Sequence, residues 1–292
     1  MQNKILNLIK KYTSHDHIKL TSRGNTSIFS ALYCARKINN KDPKQLKPIL
    51  TPDQGGWVTY LKYPKMLGMG INLCKTDDAL IDLEELKEQS KNCTAFLYAQ
   101  PGGYFVDQPI KEIYNICKKN DCLVIMDVTG SIGTDLCNGK YADYIVCSFG
   151  NYKPIDLGYG GFVSSNDKEL IERPKEIFNT DKFDNDEKLP LLFLKLKSLK
   201  QRYKLFDKTN KKIKHDLKDF EIIHKNKKGI NVLVRFKDEK ERNKLINYCE
   251  TNNFKYKLCK KVSNTKTSIF SFIKVNENAI SIEVQRLKTE DL

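Results

Sequence analysis

Tyr144-Ile145-Val146-Cys147-Ser148-Phe149-Gly150-Asn151-Tyr152-Lys153-Pro154, followed closely by Gly158-Tyr159-Gly160-Gly161, decides how this 292-residue chain is read. A short, uninterrupted apolar run that ends in a hydroxyl and a turn has the form of a strand buried on both faces. Lys153 stands beyond the carboxyl end of that strand, backed by glycines. Most other lysines lie in polar, solvated runs. A lysine removed from water is expected to lose proton affinity and to become an amine nucleophile. A surface lysine in a strand-to-loop turn is the plain alternative.

Working outward, residues 15 to 165 alternate helical and strand-like segments. Helices are expected at Thr26–Lys37, Trp57–Leu67, Leu83–Gln89 (with Asp82 as its cap) and Ile110–Lys119. Strands are expected at Pro48–Thr51, Gly70–Cys74, Thr94–Ala99, Leu123–Met126 and Tyr144–Cys147. Short apolar strands separated by helices predict a three-layer α/β domain on a mostly parallel sheet. Ligands of such sheets gather at the strands' carboxyl ends. Asp127 and the Ser148–Lys153 segment both fall there.

Beyond that domain, Asp167–Phe178 reads as a helix and Asn179–Asp186 as a loop. Leu189–Asp219 reads as a long basic amphipathic helix or a helix pair. After Gly229 come strands at Ile230–Phe236, Lys255–Cys259, Ile269–Val275 and Ala279–Leu287, with a helix at Glu239–Glu250. The predicted division is a large domain over 1–185, a connecting helix over 186–219 and a small α+β domain over 220–292.

Composition narrows the function. No apolar stretch is long enough to span a membrane. The N-terminus reads as an amphipathic helix with Ile5, Leu8 and Ile9 on one face, so a cytoplasmic address is expected. Nine scattered cysteines without a Cys-x-x-Cys pair predict neither zinc nor a disulfide framework. The net charge is +15, but only seven of the 51 basic residues are arginine. The densest cluster, Lys195 to Lys218, has apolar residues at helical spacing and reads as a solvated helix face. A nucleic-acid partner is the weaker reading, because phosphate contacts need clustered cations.

Several residues carry candidate chemistry. Amine nucleophiles such as Lys153 form Schiff bases with carbonyls, pyridoxal phosphate (PLP) among them. Asp127, ending a buried strand, is read as a helix cap, a metal ligand or the partner of a pyridinium nitrogen. Gly24-Asn25-Thr26 opens a helix, where backbone amides can approach an anion. Ser148 can add a hydroxyl to the same anion. Trp57, the only tryptophan, is either a core ring or a surface that stacks on a cofactor.

Taken in order, these residues resemble PLP enzymes of fold type I. They are most similar to the DegT/StrS-type aminotransferases and the related class V aminotransferase and cysteine desulfurase group. The resemblance rests on Gly24-Asn25-Thr26, on Asp127 with Gly133, and on Ser148-Phe149, Lys153 and the pair Gly160-Gly161. It implies that Lys153 forms the Schiff base and that Asp127 holds the pyridine nitrogen. It gives Gly24, Asn25 and Ser148 to the phosphate, Trp57 to the ring face and Gln100 to the cofactor's phenolic oxygen. Arg286 and Arg23 are candidates for a substrate carboxylate.

Three departures stand out. The family's glutamine three residues after the aspartate is Gly130 here, the desulfurase histidine before the lysine is Tyr152, and the C-terminal domain is short. The implied function is a PLP-dependent aminotransferase acting on a small amino acid or amino sugar. It would take a small-molecule amino donor and acceptor and work as a homodimer. The alternatives are carbon–sulfur chemistry (desulfurase-like, with Cys259 as an activated thiol, or acting on a tRNA-bound amino acid) and a degenerate, non-catalytic basic binding protein.

Overall fold

The computed structural model describes residues 1–39, 46–259 and 278–287. Its frame is a seven-stranded sheet of His17–Thr21 (β1), Ile49–Pro52 (β2), Ile71–Cys74 (β3), Ala95–Ala99 (β4), Leu123–Asp127 (β5), Tyr144–Ser148 (β6) and Gly161–Ser165 (β7), in the order β1-β7-β6-β5-β4-β2-β3. From β6 to β3 neighbouring strands are parallel, whereas β7 is antiparallel to both β6 and β1. The central strands are almost wholly buried: Phe96, Leu97, Val124, Ile125, Met126, Ile145 and Val146 exclude solvent completely. That is why they read as continuous apolar runs rather than alternating ones.

Helices close both faces. Gln2–Thr13 (α1) lays Ile5 and Ile9 into the core on one face; Leu83–Gln89 (α3) and Ile110–Lys119 (α4) add Leu86, Ile113 and Cys117 to the same cluster. Gly24–Asn39 (α2) packs Ile28, Ala31, Leu32 and Ala35 against the other face. Asp82 caps α3 as expected, accepting from the amides of Glu84 and Glu85. The helix predicted over Trp57–Leu67 is a 3-10 turn at Val58–Leu61 and a single α turn at Tyr63–Met66, divided where Pro64 enters. The helix predicted over Asp167–Phe178 is likewise split into Lys168–Glu172 and Lys175–Thr180, with Pro174 between them.

Leu189–Asp216 (α5) bridges two cores. Its first half puts Leu192, Leu196 and Leu199 under the large sheet, and its second half gives Phe206 and Ile213 to a separate cluster. That second cluster covers a small antiparallel sheet of Glu221–Ile222 (β8), Val232–Arg235 (β9), Tyr256–Cys259 (β10) and Ala279–Ile282 (β11), in the order β8-β9-β11-β10. Glu239–Thr251 (α6) packs on it with Leu245 and Cys249. The strand predicted at Ala279–Leu287 stops at Ile282 and becomes a 3-10 turn over Val284–Arg286. The strand predicted at Ile269–Val275 lies outside the described residues.

Three strands of these two sheets escape the sequence reading, as does the hairpin of Thr76–Asp77 with Leu80–Ile81. β1, β7 and β8 carry Lys19, Ser164, Ser165 and Glu221, so their hydrophobic pattern is broken. Ser164 is nevertheless fully buried, its hydroxyl hydrogen-bonded to Nδ1 of His15 at 3.0 Å. The solvated-face reading of the lysine cluster on α5 holds. Its lysines pair along the surface, Lys211 with Asp207 at 2.7 Å and Lys212 with Asp216 at 3.2 Å. Among the described residues no helix is long and apolar enough to cross a membrane, and no cluster of His, Cys, Asp and Glu could hold a metal.

Candidate active site

The carboxyl ends of β4, β5 and β6 and the start of α2 converge on one point. Asp127 ends β5, 8% exposed. One carboxylate oxygen accepts from the backbone amide of Thr129 at 2.9 Å and from its hydroxyl at 2.5 Å; the other accepts from the Tyr60 hydroxyl at 2.8 Å. Burial pushes the Asp127 carboxyl above its usual range, and the Thr129 and Tyr60 donors and the charge of Lys153 pull it back. The hydroxyl of Thr129 also accepts from the amide of Ser148 at 2.9 Å, which ties the ends of β5 and β6 together.

Ser148 in turn abuts Gly24. A Cβ on Gly24 would lie 2.3 Å from that of Ser148, and one on Gly161 would lie 2.8 Å from the Gly24 amide nitrogen. Only two glycines let the helix begin this close to the strand ends. The first-turn amides of α2 therefore open beside the Ser148 hydroxyl, where an anion would be favoured. Asp181 already uses part of this ground, accepting hydrogen bonds from the Ser22 and Thr26 hydroxyls. The next residue, Asn25, accepts through Oδ1 from the indole nitrogen of Trp57 at 3.0 Å.

Trp57 leads to the amine. The Nζ of Lys153 sits 5.0 Å from the Trp57 ring centroid and 4.9 Å from that of Tyr104, and it donates to the Tyr104 hydroxyl at 3.0 Å. Lys153 is half-buried between the two rings. Its proton affinity departs from the sequence expectation. Burial does lower it, but Tyr104, Asp127 and Glu283 outweigh burial, and the pKa is raised. Dryness is the largest single influence on this amine, and its neighbours together outweigh it.

Every cofactor-side residue predicted from sequence except Gln100 falls on this path. Both ends of the Gln100 side-chain amide are committed elsewhere: Oε1 accepts from the Gln108 amide at 2.9 Å, and Nε2 reaches the Gln108 carbonyl at 3.4 Å. The residue is 1% exposed and holds the loop after β4, so the role at a phenolic oxygen is withdrawn. Arg286 lies in the turn after β11, its guanidinium paired with Glu283 and stacked 4.5 Å from the ring centroid of Tyr152, the residue before Lys153. Arg23 is exposed immediately before Gly24. The activated-thiol alternative for Cys259 gains no support: burial pushes its thiol up to about 12, and nearby Asp78 and Glu283 push the same way, while Lys260 and Lys261 lie outside the described residues.

Sequence reasoning missed Tyr60, Tyr104, Thr129, Asp181 and Glu283. Thr129 had a signal, since a hydroxyl two residues after a strand-end aspartate is placed to cap it. The others arrive from distant segments and have no local mark.

The residues present fit PLP. A glycine-lined helix start, a buried carboxylate and a half-buried amine are brought together at the strand ends. Comparison with known proteins agrees. A sequence model of the DegT/DnrJ/EryC1/StrS aminotransferase family matches residues 74–188, the stretch that holds Asp127, Ser148 and Lys153. No curated protein sequence matches the chain. Among solved structures, PseC of Helicobacter pylori, an aminotransferase involved in the biosynthesis of pseudoaminic acid, superposes with a TM-score of 0.73 at 17% identity, over 98% of this chain and 86% of that one. The Escherichia coli GDP-4-keto-6-deoxy-D-mannose-3-dehydratase with bound hydrated PLP gives 0.69 at 14% identity, over 96% and 88%. A cysteine desulfurase from Thermococcus onnurineus gives 0.67 at 12% identity, over 99% and 80%. The chain therefore has the fold type I architecture of PLP-dependent enzymes. At such identities the likeness establishes the fold, and an aminotransferase, a dehydratase and a desulfurase all share it.

Proposed function

We propose that this chain is a PLP-dependent aminotransferase acting on a small amino acid or an amino sugar. The observation that carries the reading is the unbroken line of contacts from Asp127 through Thr129, Ser148, Gly24, Asn25 and Trp57 to Lys153. An acid for a ring nitrogen, a seat for a phosphate and an amine for a carbonyl are thereby linked at the strand ends. The family match over residues 74–188 favours amino-group transfer over the other reactions this fold hosts.

Bound PLP would supply an electron sink for the pair left when a substrate Cα loses its proton. The remaining roles belong to the protein. Asp127, fixed by three donors, would supply the negative charge for a pyridine nitrogen. Gly24, Asn25 and Ser148 would hold the phosphate through amides and a hydroxyl. Trp57 covers one side of the space and is itself oriented by Asn25. Lys153 would be the amine that holds the cofactor's carbonyl and, once substrate takes that place, the group that moves a proton at the substrate Cα. Because its pKa is raised, the amine must first give up a proton, so capture of the cofactor should accelerate as pH rises toward the lysine range.

Arg286 and Arg23 are proposed as carboxylate ligands on the substrate side. We also infer a homodimer in the cytoplasm. The exposed apolar side chains of Leu61 and Met66, next to Trp57 in sequence, suit a subunit contact beside the site. The raised Cys259 thiol gives the desulfurase alternative no support.

The test is direct. The purified protein is incubated with PLP, reduced with borohydride and digested for peptide mass spectrometry. A phosphopyridoxyl adduct on Lys153, with loss of visible absorbance, is expected in the wild type and absent in Lys153→Ala. A wild type that forms no adduct at Lys153 overturns the proposal. Spectral conversion by a panel of amino sugars and amino acids then identifies the donor.

A further inference from the structure

Gly130 occupies the position where related proteins were expected to carry a glutamine, and another side chain fills the room this leaves. A Cβ at Gly130 would lie 2.5 Å from Cδ1 and 2.8 Å from Cε1 of Tyr104, and 3.0 Å from Cδ of Pro101. The Tyr104 ring thus packs against Gly130 at a distance where a Cβ would clash. From there its hydroxyl accepts from Nζ of Lys153 at 3.0 Å.

The loop that delivers Tyr104 is held in an uncommon shape from the other side. Tyr104 has φ +68°, in the left-handed region that side chains with a Cβ seldom adopt. Such a conformation persists only where its surroundings fix it. Here the surroundings belong to the small sheet's leading segment. The Tyr104 carbonyl accepts from the amides of Ile230 at 2.7 Å and Asn231 at 2.9 Å. The Lys228 amide donates to Asp107 at 2.6 Å, and Gly229 packs so close that a Cβ there would lie 2.4 Å from Cα of Phe105.

We infer that Tyr104 is a positioning residue for Lys153, seated in the space opened by Gly130 and locked by the 228–231 segment. The small domain thereby sets where the amine points. This rests on the reading of Lys153 as the cofactor-binding amine. When Lys153 is an ammonium it donates to the phenol oxygen; when it is a free amine the phenol can donate to it, so the pair is held in both states. Asp127 at the end of β5 and Glu283 after β11 also favour the ammonium, while Arg286, paired with Glu283 and lying over Tyr152, is the opposing charge nearby.

The experiment uses the cofactor-free protein. Labelling of Lys153 by a small amine-selective acylating reagent is followed by peptide mass spectrometry as a function of pH, with Lys118, paired with Asp143 at 2.8 Å, as the internal standard. Tyr104→Phe keeps the ring and removes only the hydroxyl. It is expected to shift the Lys153 profile toward lower pH, with labelling about three- to tenfold faster at fixed mildly alkaline pH, since one pKa unit is tenfold in free amine. Gly130→Ala, which displaces the ring while keeping the phenol, should shift the profile the same way; Lys118 should not respond to either. An unchanged Lys153 profile in Tyr104→Phe overturns the inference. Reduction with PLP and borohydride keeps the two claims apart. Failure of the wild type to form an adduct defeats the functional reading, whereas a normal adduct together with an unshifted amine defeats the role of Tyr104.

Discussion

On one side of Lys153 the site is made of strand ends and a helix start; on the other it is made of long side chains reaching across from the small domain. Asp127, Ser148 and Gly24 are placed by the register of β5 against β6 and by the contact of α2 with both β6 and β7. Arg286 and Glu283 hang from a 3-10 turn after a four-residue strand, tied to each other and, through Glu283, to Lys257 at 3.0 Å. The first half cannot move without breaking the sheet. The second can be altered by changing one ion pair. Substitutions should therefore act on the chemistry when made on the sheet side and on substrate preference when made on the small-domain side.

The sharpest way to break that contrast is Asp127→Asn. The amide keeps the shape, and Thr129 can still donate to its oxygen, but the charge proposed to serve the ring nitrogen is gone. Loss of a preorganised electrostatic group of this kind costs about 10²–10³ in kcat. The adduct at Lys153 should still form, because the phosphate seat and the amine are untouched. Single-turnover transamination beside borohydride trapping separates the two. A variant that turns over within a fewfold of wild type would remove Asp127 from the reaction.

Gly24→Ala comes next. Its Cβ has nowhere to go but into Ser148, 2.8 Å from the Cα of that residue, so the start of α2 must shift. Overpacking of this order costs about 1–3 kcal/mol, and if it falls on the phosphate seat, PLP affinity weakens by roughly ten- to a hundredfold. Titration of the cofactor against the absorbance of the Lys153 adduct measures it. Unchanged affinity would mean that the anion seat lies away from the helix start.

The same contrast explains what could be read without coordinates. β4, β5 and β6 announce themselves because strands buried on both faces must be apolar throughout, and the residues just past their ends are therefore marked by position. β7 stays hidden because the buried Ser164 and Ser165, the first bonded to His15 and the second accepting from the Asp167 amide, interrupt its pattern, and β1 because Lys19 and Thr21 break its own. Gln100 was misassigned for a related reason. It too follows a strand end, but its amide faces the chain at Gln108 rather than the open space, and only side-chain direction distinguishes the two. Tyr104 was invisible because its meaning depends on an absent side chain at Gly130 and on amides more than a hundred residues later.

Arg286→Lys carries the smallest expected effect and probes the small-domain half alone. Lysine keeps the charge beside Glu283 but loses the planar fork that can grip a carboxylate with two hydrogen bonds. A charge-assisted hydrogen bond contributes about 1.5–3 kcal/mol, so KM for a carboxylate-bearing donor should rise roughly tenfold or more, with kcat nearly unchanged. Glu283 remains neutralised in this variant, so the proton affinity of Lys153 should also stay in place. If kcat falls and KM does not, Arg286 serves the amine by restraining Glu283 rather than holding a substrate. The small-domain half would then act through charge on Lys153, as Tyr104 is inferred to act through position.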